Sequence, residues 1–280
     1  MTSGWAAKSY CDALHGSLTI VWCLSVRTYL PTMPGRRGQR LFRFAHNRLE
    51  LLRTRELLQR QLPLPPAVVL DVGGGTGVHA AWLAGLGYRV QLVDIVPEHV
   101  RAAAQHGLTA EVGDARWLAQ PDASVDAVLL LGPLYHLVSQ AERIAALIEA
   151  WRVLRPGGVL LAAAIGRFMA ALDWAQRGGL TADVAAKLLP VLSTGVHDPT
   201  LGFTDAFFHT AAQLQQEVAE AGFADTQVVG IEGPAWTLVD TPGDDVEARF
   251  DSALRCAQLT ENFAEIVDAS AHLMVLATAP

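Results

Sequence analysis

The sequence predicts an α/β fold built on a parallel, doubly wound sheet, and three observations carry that expectation. Short β-rich runs alternate with alanine-rich helical stretches along most of the chain. Those runs lack polar alternation, as strands do when helices cover both faces of a sheet. The first of them, Val68-Val69-Leu70-Asp71-Val72, empties into Gly73-Gly74-Gly75-Thr76-Gly77 and then a helical pattern, a junction at which backbone N–H groups can meet a ligand.

The elements follow in order. Residues 1–43 have no clean period and read as an irregular appendage, broken by Pro31, Pro34, Gly35 and Gly38; Met33 is an alternative start of translation. From about Phe44 to Gln61 leucines and arginines recur at helical spacing until Pro63, Pro65 and Pro66 stop the helix. Strands are expected at Ala67 to Val72, Arg89 to Val93, Thr109 to Val112, Val125 to Leu131 and Gly158 to Ile165. Between Arg167 and Thr210 the rhythm changes to helical pieces and a loop with Gly, Asp and Pro, which we read as a helical cap inserted in a domain spanning residues 44–280. A helix near Ala211 to Ala221 and strands near Thr226 to Ile231 and Ala271 to Ala277 complete the sheet, the last two as an antiparallel pair.

Composition narrows the partners. Of 280 residues, 51% are apolar and 18% charged, enough for a sizeable core and too few charges for a disordered chain. A net charge of -7 gives no global positive field for nucleic acid. Cys11, Cys23 and Cys256 fit neither a disulfide framework nor a CxxC metal site, so a reducing cytoplasm is the expected location. The apolar stretch Leu18 to Val26 is too short to span a bilayer and lacks the basic region and cleavage site of a signal peptide, so no membrane partner is expected.

The glycine spacing discriminates between cofactors. A dinucleotide fingerprint counted from Gly73 needs glycine where Val78 stands, and the spacing here is G-x-G-x-G. Asp94 ends the second strand, where a carboxylate can accept from two ribose hydroxyls. Asp114 follows the third strand, where it could accept from an adenine amino group. Singly, each aspartate also reads as a cap or turn former; together, after successive strands, they are far more specific.

With Arg152-Val153-Leu154-Arg155-Pro156-Gly157-Gly158 added, these motifs resemble the ordered motifs of class I S-adenosylmethionine-dependent methyltransferases, from about Phe44 to the end of the chain. The resemblance implies a Rossmann-like seven-stranded sheet, mostly parallel with an antiparallel C-terminal strand. It also implies that Asp71, Gly73 and Gly75 lie near the methionine part of S-adenosyl-L-methionine, Asp94 on its ribose, Asp114 with Ala115 on its adenine, and Leu131 along the same site. Leu131-Gly132-Pro133-Leu134-Tyr135-His136-Leu137 resembles a bacterial small-molecule subgroup related to quinone-biosynthesis methyltransferases, and differs from the Asn-Pro-Pro-Tyr or Asp-Pro-Pro-Tyr signature used on base amino groups.

The expected activity is methyl transfer to an oxygen, nitrogen or carbon of a small organic molecule. Oxygen is favoured because His136, just beyond the fourth strand, could deprotonate a hydroxyl; packing beneath the cofactor is its other reading. Tyr135 shares that ambiguity. His209, beside Phe207 and Phe208, could reach the pocket from the cap side, or could be a helix-start residue with no chemical role. Arg53 and Arg55 could meet a cofactor carboxylate, although such arginines are more often solvated. The histidines are too dispersed in sequence to suggest a metal motif, and none is expected. The alternatives are a nicotinamide-dependent oxidoreductase, which the glycine spacing opposes, and a non-catalytic protein that only binds S-adenosylmethionine.

Overall fold

A computed structural model describes residues 45–280, apart from 242 and 244. The expected appendage, with the Leu18 to Val26 run and Met33, lies outside the described residues. Seven strands are present: β1 (Val68–Val72), β2 (Arg89–Asp94), β3 (Thr109–Val112), β4 (Val125–Leu130), β5 (Leu154–Ile165), β6 (Ala224–Gly230) and β7 (His272–Thr278). They pair in the order β3-β2-β1-β4-β5-β7-β6, and only β7 is reversed, running antiparallel to β5 and to β6.

The helices are α1 (Ala45–Gln61), α2 (Val78–Gly85), α3 (Pro97–Gln105), α4 (Pro133–His136), α5 (Gln140–Val153), α6 (Met169–Gln176), α7 (Ala182–Thr194), α8 (Ala211–Glu220) and α9 (Val246–Thr260). Alternate residues of each strand serve two apolar layers, which is why the strands read as unbroken apolar runs. Leu70, Val128, Leu160 and Val275 pack with Leu147 of α5 and Leu214 and Val218 of α8. Val69, Leu129, Leu161 and Met274 pack with Leu57 and Leu58 of α1 and Leu83 of α2.

Local chemistry sets several boundaries. Pro97 stands in the first turn of α3, where its missing N–H costs nothing. The Thr181 hydroxyl accepts from the Val184 N–H at the start of α7, and Gly195 ends that helix in a left-handed conformation. Thr210 and Gln213 form a reciprocal capping box on α8.

Between β5 and α8 the chain makes α6, α7 and a short turn at Pro199–Leu201, then returns with Val196 bridged to Phe207 and Gly166 to His209. Arg167 fixes this return: its guanidinium donates to the carbonyls of Phe208 (2.7 Å) and Leu192 (3.1 Å) and to Gln213 Oε1 (2.5 Å). A second excursion, between β6 and β7, carries α9, which the sequence reading left unassigned. Its buried face is Phe250, Ala253 and Ala257, and the first two join Leu49, Trp236 and Val239 in a separate apolar cluster. No described helix is long and apolar enough to cross a membrane.

One buried ion pair ties α5 to α8. Arg143 donates to both oxygens of Glu217 at 2.8 and 2.6 Å and to the carbonyls of Leu137 and Val138, and its guanidinium lies 3.7 Å from the centre of the Phe207 ring. Both side chains are almost fully buried. Glu217→Ala should therefore destabilise the fold by about 3–5 kcal/mol, because it leaves a buried guanidinium uncompensated, whereas Arg143→Met combined with Glu217→Leu should cost much less. Urea denaturation of the two variants checks the difference.

Candidate cofactor and acceptor site

The turn after β1 is shaped by what touches it. Gly73, Gly75 and Gly77 all have positive φ, a region that side-chain-bearing residues seldom occupy. A Cβ on Gly73 would stand 2.6 Å from Pro133 Cγ, so the turn and the loop after β4 meet here with room for glycine alone. The Gly73 N–H donates to the Val93 carbonyl at 2.7 Å, which joins the same turn to β2.

Asp94 is buried and holds this junction. One carboxylate oxygen accepts from the Gly75 N–H at 2.8 Å; the other accepts from the Val96 N–H at 2.9 Å and lies 3.0 Å from His99 Nδ1. Asp71, also buried, accepts no hydrogen bond among the described residues. Burial, with the Asp94 charge adding to it, pushes its carboxyl up from the ordinary 3.8 to about 7.

The remaining residues singled out by sequence fall on two neighbouring loops. Asp114 accepts from the Arg116 backbone N–H and guanidinium at 2.6–2.9 Å, and that guanidinium holds its carboxyl below the usual range; Arg116 also pairs with Glu142. Ala115 packs against the α5 side of the core, and Leu131 against the α1 side. Tyr135 packs with Ile165 and the α6–α7 segment, and its carbonyl accepts from the Phe207 N–H at 2.9 Å. His136 is exposed, 4.6 Å from the Tyr135 ring and stacked at 6.3 Å on Phe203 of the return limb.

His209 stands immediately before the Thr210 cap of α8, the helix-start place that the sequence also offered. It is wholly buried between the end of β5 and α8, edge-on to Phe207, with Nε2 3.3 Å from Glu217. Its ring faces the Arg143–Glu217 pair, because Glu217, Arg143 and Phe207 all converge from that side, and burial pushes its pKa down.

The two arginines of α1 also separate. Arg53 is consumed by structure, donating to the Ile231 carbonyl at 3.1 Å and pairing with Glu56 and Glu261. Arg55 makes no hydrogen bond or ion pair among the described residues; its guanidinium lies 5.0 Å from the Trp82 ring and its buried Nε has no acceptor. His79, in the first turn of α2, has an equally orphaned Nδ1, and burial together with the Arg55 cation pushes its pKa down to about 3. The sequence reading passed over His79, although its place just behind Gly77 was the available signal. A carboxylate and a guanidinium that are both unpaired among the described residues are suited to a ligand that carries both an ammonium and a carboxylate.

The state of Asp71 yields a stability test. With its folded pKa above its unfolded one, the folded protein holds the extra proton between about pH 4 and 7, and stability falls as pH rises through that window. Asp71→Asn should be neutral near pH 4 and stabilising at pH 8, by up to about 4 kcal/mol. Urea denaturation at both pH values gives the comparison; a gain independent of pH would remove the assignment.

Comparison with known proteins supplies the family. Residues 69–158 match the family model described as a methyltransferase domain. The chain is 31% identical over 189 residues to the ubiquinone biosynthesis O-methyltransferase of Xylella fastidiosa, covering 65% of this chain and 70% of that one. It is 35% identical over 142 residues to the enzyme of the same name from Xanthomonas oryzae pv. oryzae, covering 48% and 57%. Among solved structures, an S-adenosylmethionine-dependent methyltransferase from Methanosarcina mazei superposes with a TM-score of 0.54 at 21% identity, covering 79% of this chain and 96% of that one. A [4+2]-cyclase superposes with a TM-score of 0.52 at 20% identity over 82% and 80%, a reminder that the fold by itself does not fix the chemistry. With 70% of the Xylella relative's length matched at 31% identity, the chain belongs to the S-adenosylmethionine-dependent methyltransferases.

Proposed function

We propose that this methyltransferase acts on an oxygen of a small organic acceptor, bound between the loop after β4 and the two excursions that follow β5 and β6. The observation that carries the reading is the 31% identity to relatives named as O-methyltransferases, together with an exposed histidine on the loop that touches the glycine turn. The cofactor, when bound, supplies a methyl group on a sulfonium centre.

In this reading Asp94 accepts from the ribose hydroxyls, and Asp114 with Ala115 borders the adenine. Asp114 is already engaged by Arg116, but a carboxylate offers about four acceptor positions, so capacity remains. Asp71 receives the ammonium of the methionine part, Gly73 and Gly75 let it approach the backbone, and Leu131 lines the site. Arg55 takes the carboxylate, an assignment supported by its having no hydrogen-bond or ion-pair partner among the described residues.

On the acceptor side, His136 takes the hydroxyl proton, Tyr135 forms wall, and residues 167–210 act as the cap. Placing the nucleophile in line with the methyl group provides the larger share of acceleration, up to about 7–11 kcal/mol in favourable intramolecular cases. The buried position of His209 supports a role in holding the cap rather than in proton transfer.

Two measurements test the assignment. Asp94→Asn should weaken S-adenosylhomocysteine binding, read by calorimetry, by about 1.5–3 kcal/mol; unchanged affinity on folded protein refutes the ribose role. Incubating the enzyme with cofactor and host extract should add one methyl group to a hydroxyl compound, seen by mass. With that acceptor, His136→Gln should lower turnover by about a hundredfold while cofactor affinity holds; equal turnover would leave positioning alone as the mechanism.

A further inference from the structure

On the same edge of the sheet, away from the glycine turn, three side chains from three segments distant in sequence converge. Glu50 comes from α1, Glu232 from the chain just after β6, and His272 from the first position of β7. One ligating atom from each lies within 4.8 Å of the others. A sphere of oxygen and nitrogen ligands about 2.1 Å from a metal ion spans about 4.2 Å, so small side-chain rotations would close the set on one ion.

Two of the three are already held in place. Glu232 is buried; one oxygen accepts from the Ser270 hydroxyl (3.0 Å) and the His272 N–H (2.9 Å), and the other lies 2.5 Å from His272 Nδ1. An ion bound by Glu232 and His272 would take the place of the proton now shared between that oxygen and Nδ1. Glu50 differs: it accepts no hydrogen bond among the described residues, in contrast to Glu217 and Glu261, which arginines hold. Asp71 shares that condition, and it borders the cofactor turn.

His46, on the same face of α1, pairs with Asp240, which also accepts from the Ala45 N–H at 2.7 Å, while His272 pairs with Glu232 and lies within 4.8 Å of Glu50. Leu49 and Ala271, the neighbours in sequence of Glu50 and His272, belong to the apolar cluster with Trp236 and Phe250, while Glu50 and His272 themselves stay partly exposed.

We propose that Glu50, Glu232 and His272 form a binding site for one divalent transition-metal ion. Two carboxylates and an imidazole are a donor set suited to Mn²⁺, Fe²⁺ or Zn²⁺ rather than to the all-oxygen shells of Ca²⁺. The position adds a use: His272 pairs with Ile165 at the end of β5, and Ile165 packs with Tyr135, so the ion stands at the acceptor end of the sheet. There it would hold and acidify an acceptor oxygen; that use, unlike the binding itself, rests on the proposed O-methylation.

The test uses the full chain, freed of any tag, stripped with chelator and titrated separately with MnCl2 and ZnCl2 by calorimetry, with Mn²⁺ paramagnetic resonance as a second readout. One ion should bind per chain and raise the thermal midpoint. Glu50→Gln and His272→Asn should each weaken binding about tenfold or more, while His106→Asn, at an exposed residue that ends α3, leaves it unchanged. S-adenosylhomocysteine affinity, measured on the same samples, verifies folding and reports on the cofactor reading separately. If His272→Asn does not fold, Glu50→Gln decides the matter, since Glu50 has no hydrogen bond to lose among the described residues. Absence of saturable binding by both ions, or affinity unchanged in Glu50→Gln, overturns the proposal.

Discussion

Covering both faces of the sheet with helices is the constraint from which the rest of this molecule follows. Because the strand sides are sealed by two apolar layers, polar groups that must meet ligands are pushed to the strand ends. The glycine turn, Asp94, Asp114 and the loop after β4 all lie at the carboxyl ends of parallel strands. β7, being reversed, brings its first residue to that edge, and so His272 joins from the opposite chain direction.

The second organising feature is a set of buried arginines. Arg143, Arg167 and Arg53 each bind carbonyl oxygens as well as side chains, and each joins segments far apart in sequence. Their planar, multi-donor head groups suit that work better than a lysine ammonium. Arg167 and Arg143 both approach the Phe207 ring, at 5.7 and 3.7 Å, so the return limb is anchored from two sides. Buried ion pairs of this kind add little net stability over an apolar core, and their benefit here is a defined path for the chain.

What was legible in the sequence was local. Strand runs, the glycine turn and the proline stops declare themselves over a few neighbouring residues, and β1 to β4 begin and end within about a residue of where the pattern puts them. β5 starts at Leu154 rather than Gly158 because Leu154 pairs with Val125 across a bulge, a long-range contact with no local trace. α9 was readable from the spacing of Phe250, Ala253 and Ala257, but its charged surface face masked the pattern. Site residues divide the same way: Asp71 and Asp94 announce themselves by strand position, whereas the separate fates of Arg53 and Arg55 depend on Glu261 and Trp82, which only the fold brings near. Glu50, Glu232 and His272 are the extreme case, since no spacing rule relates them.

The detour between β6 and β7 leaves and re-enters the sheet at adjacent points, stitched by the Ile231 N–H to the His272 carbonyl at 3.0 Å. A loop closed at its base in this way resists lengthening only weakly, each doubling of a flexible loop adding about 0.6 kcal/mol of closure entropy. Trp236, Asp240 and α9 all ride on this detour. Insertions and deletions there would change what stands over this end of the sheet without altering one strand register, so that the surroundings of the strand ends could diverge while the sheet stays the same.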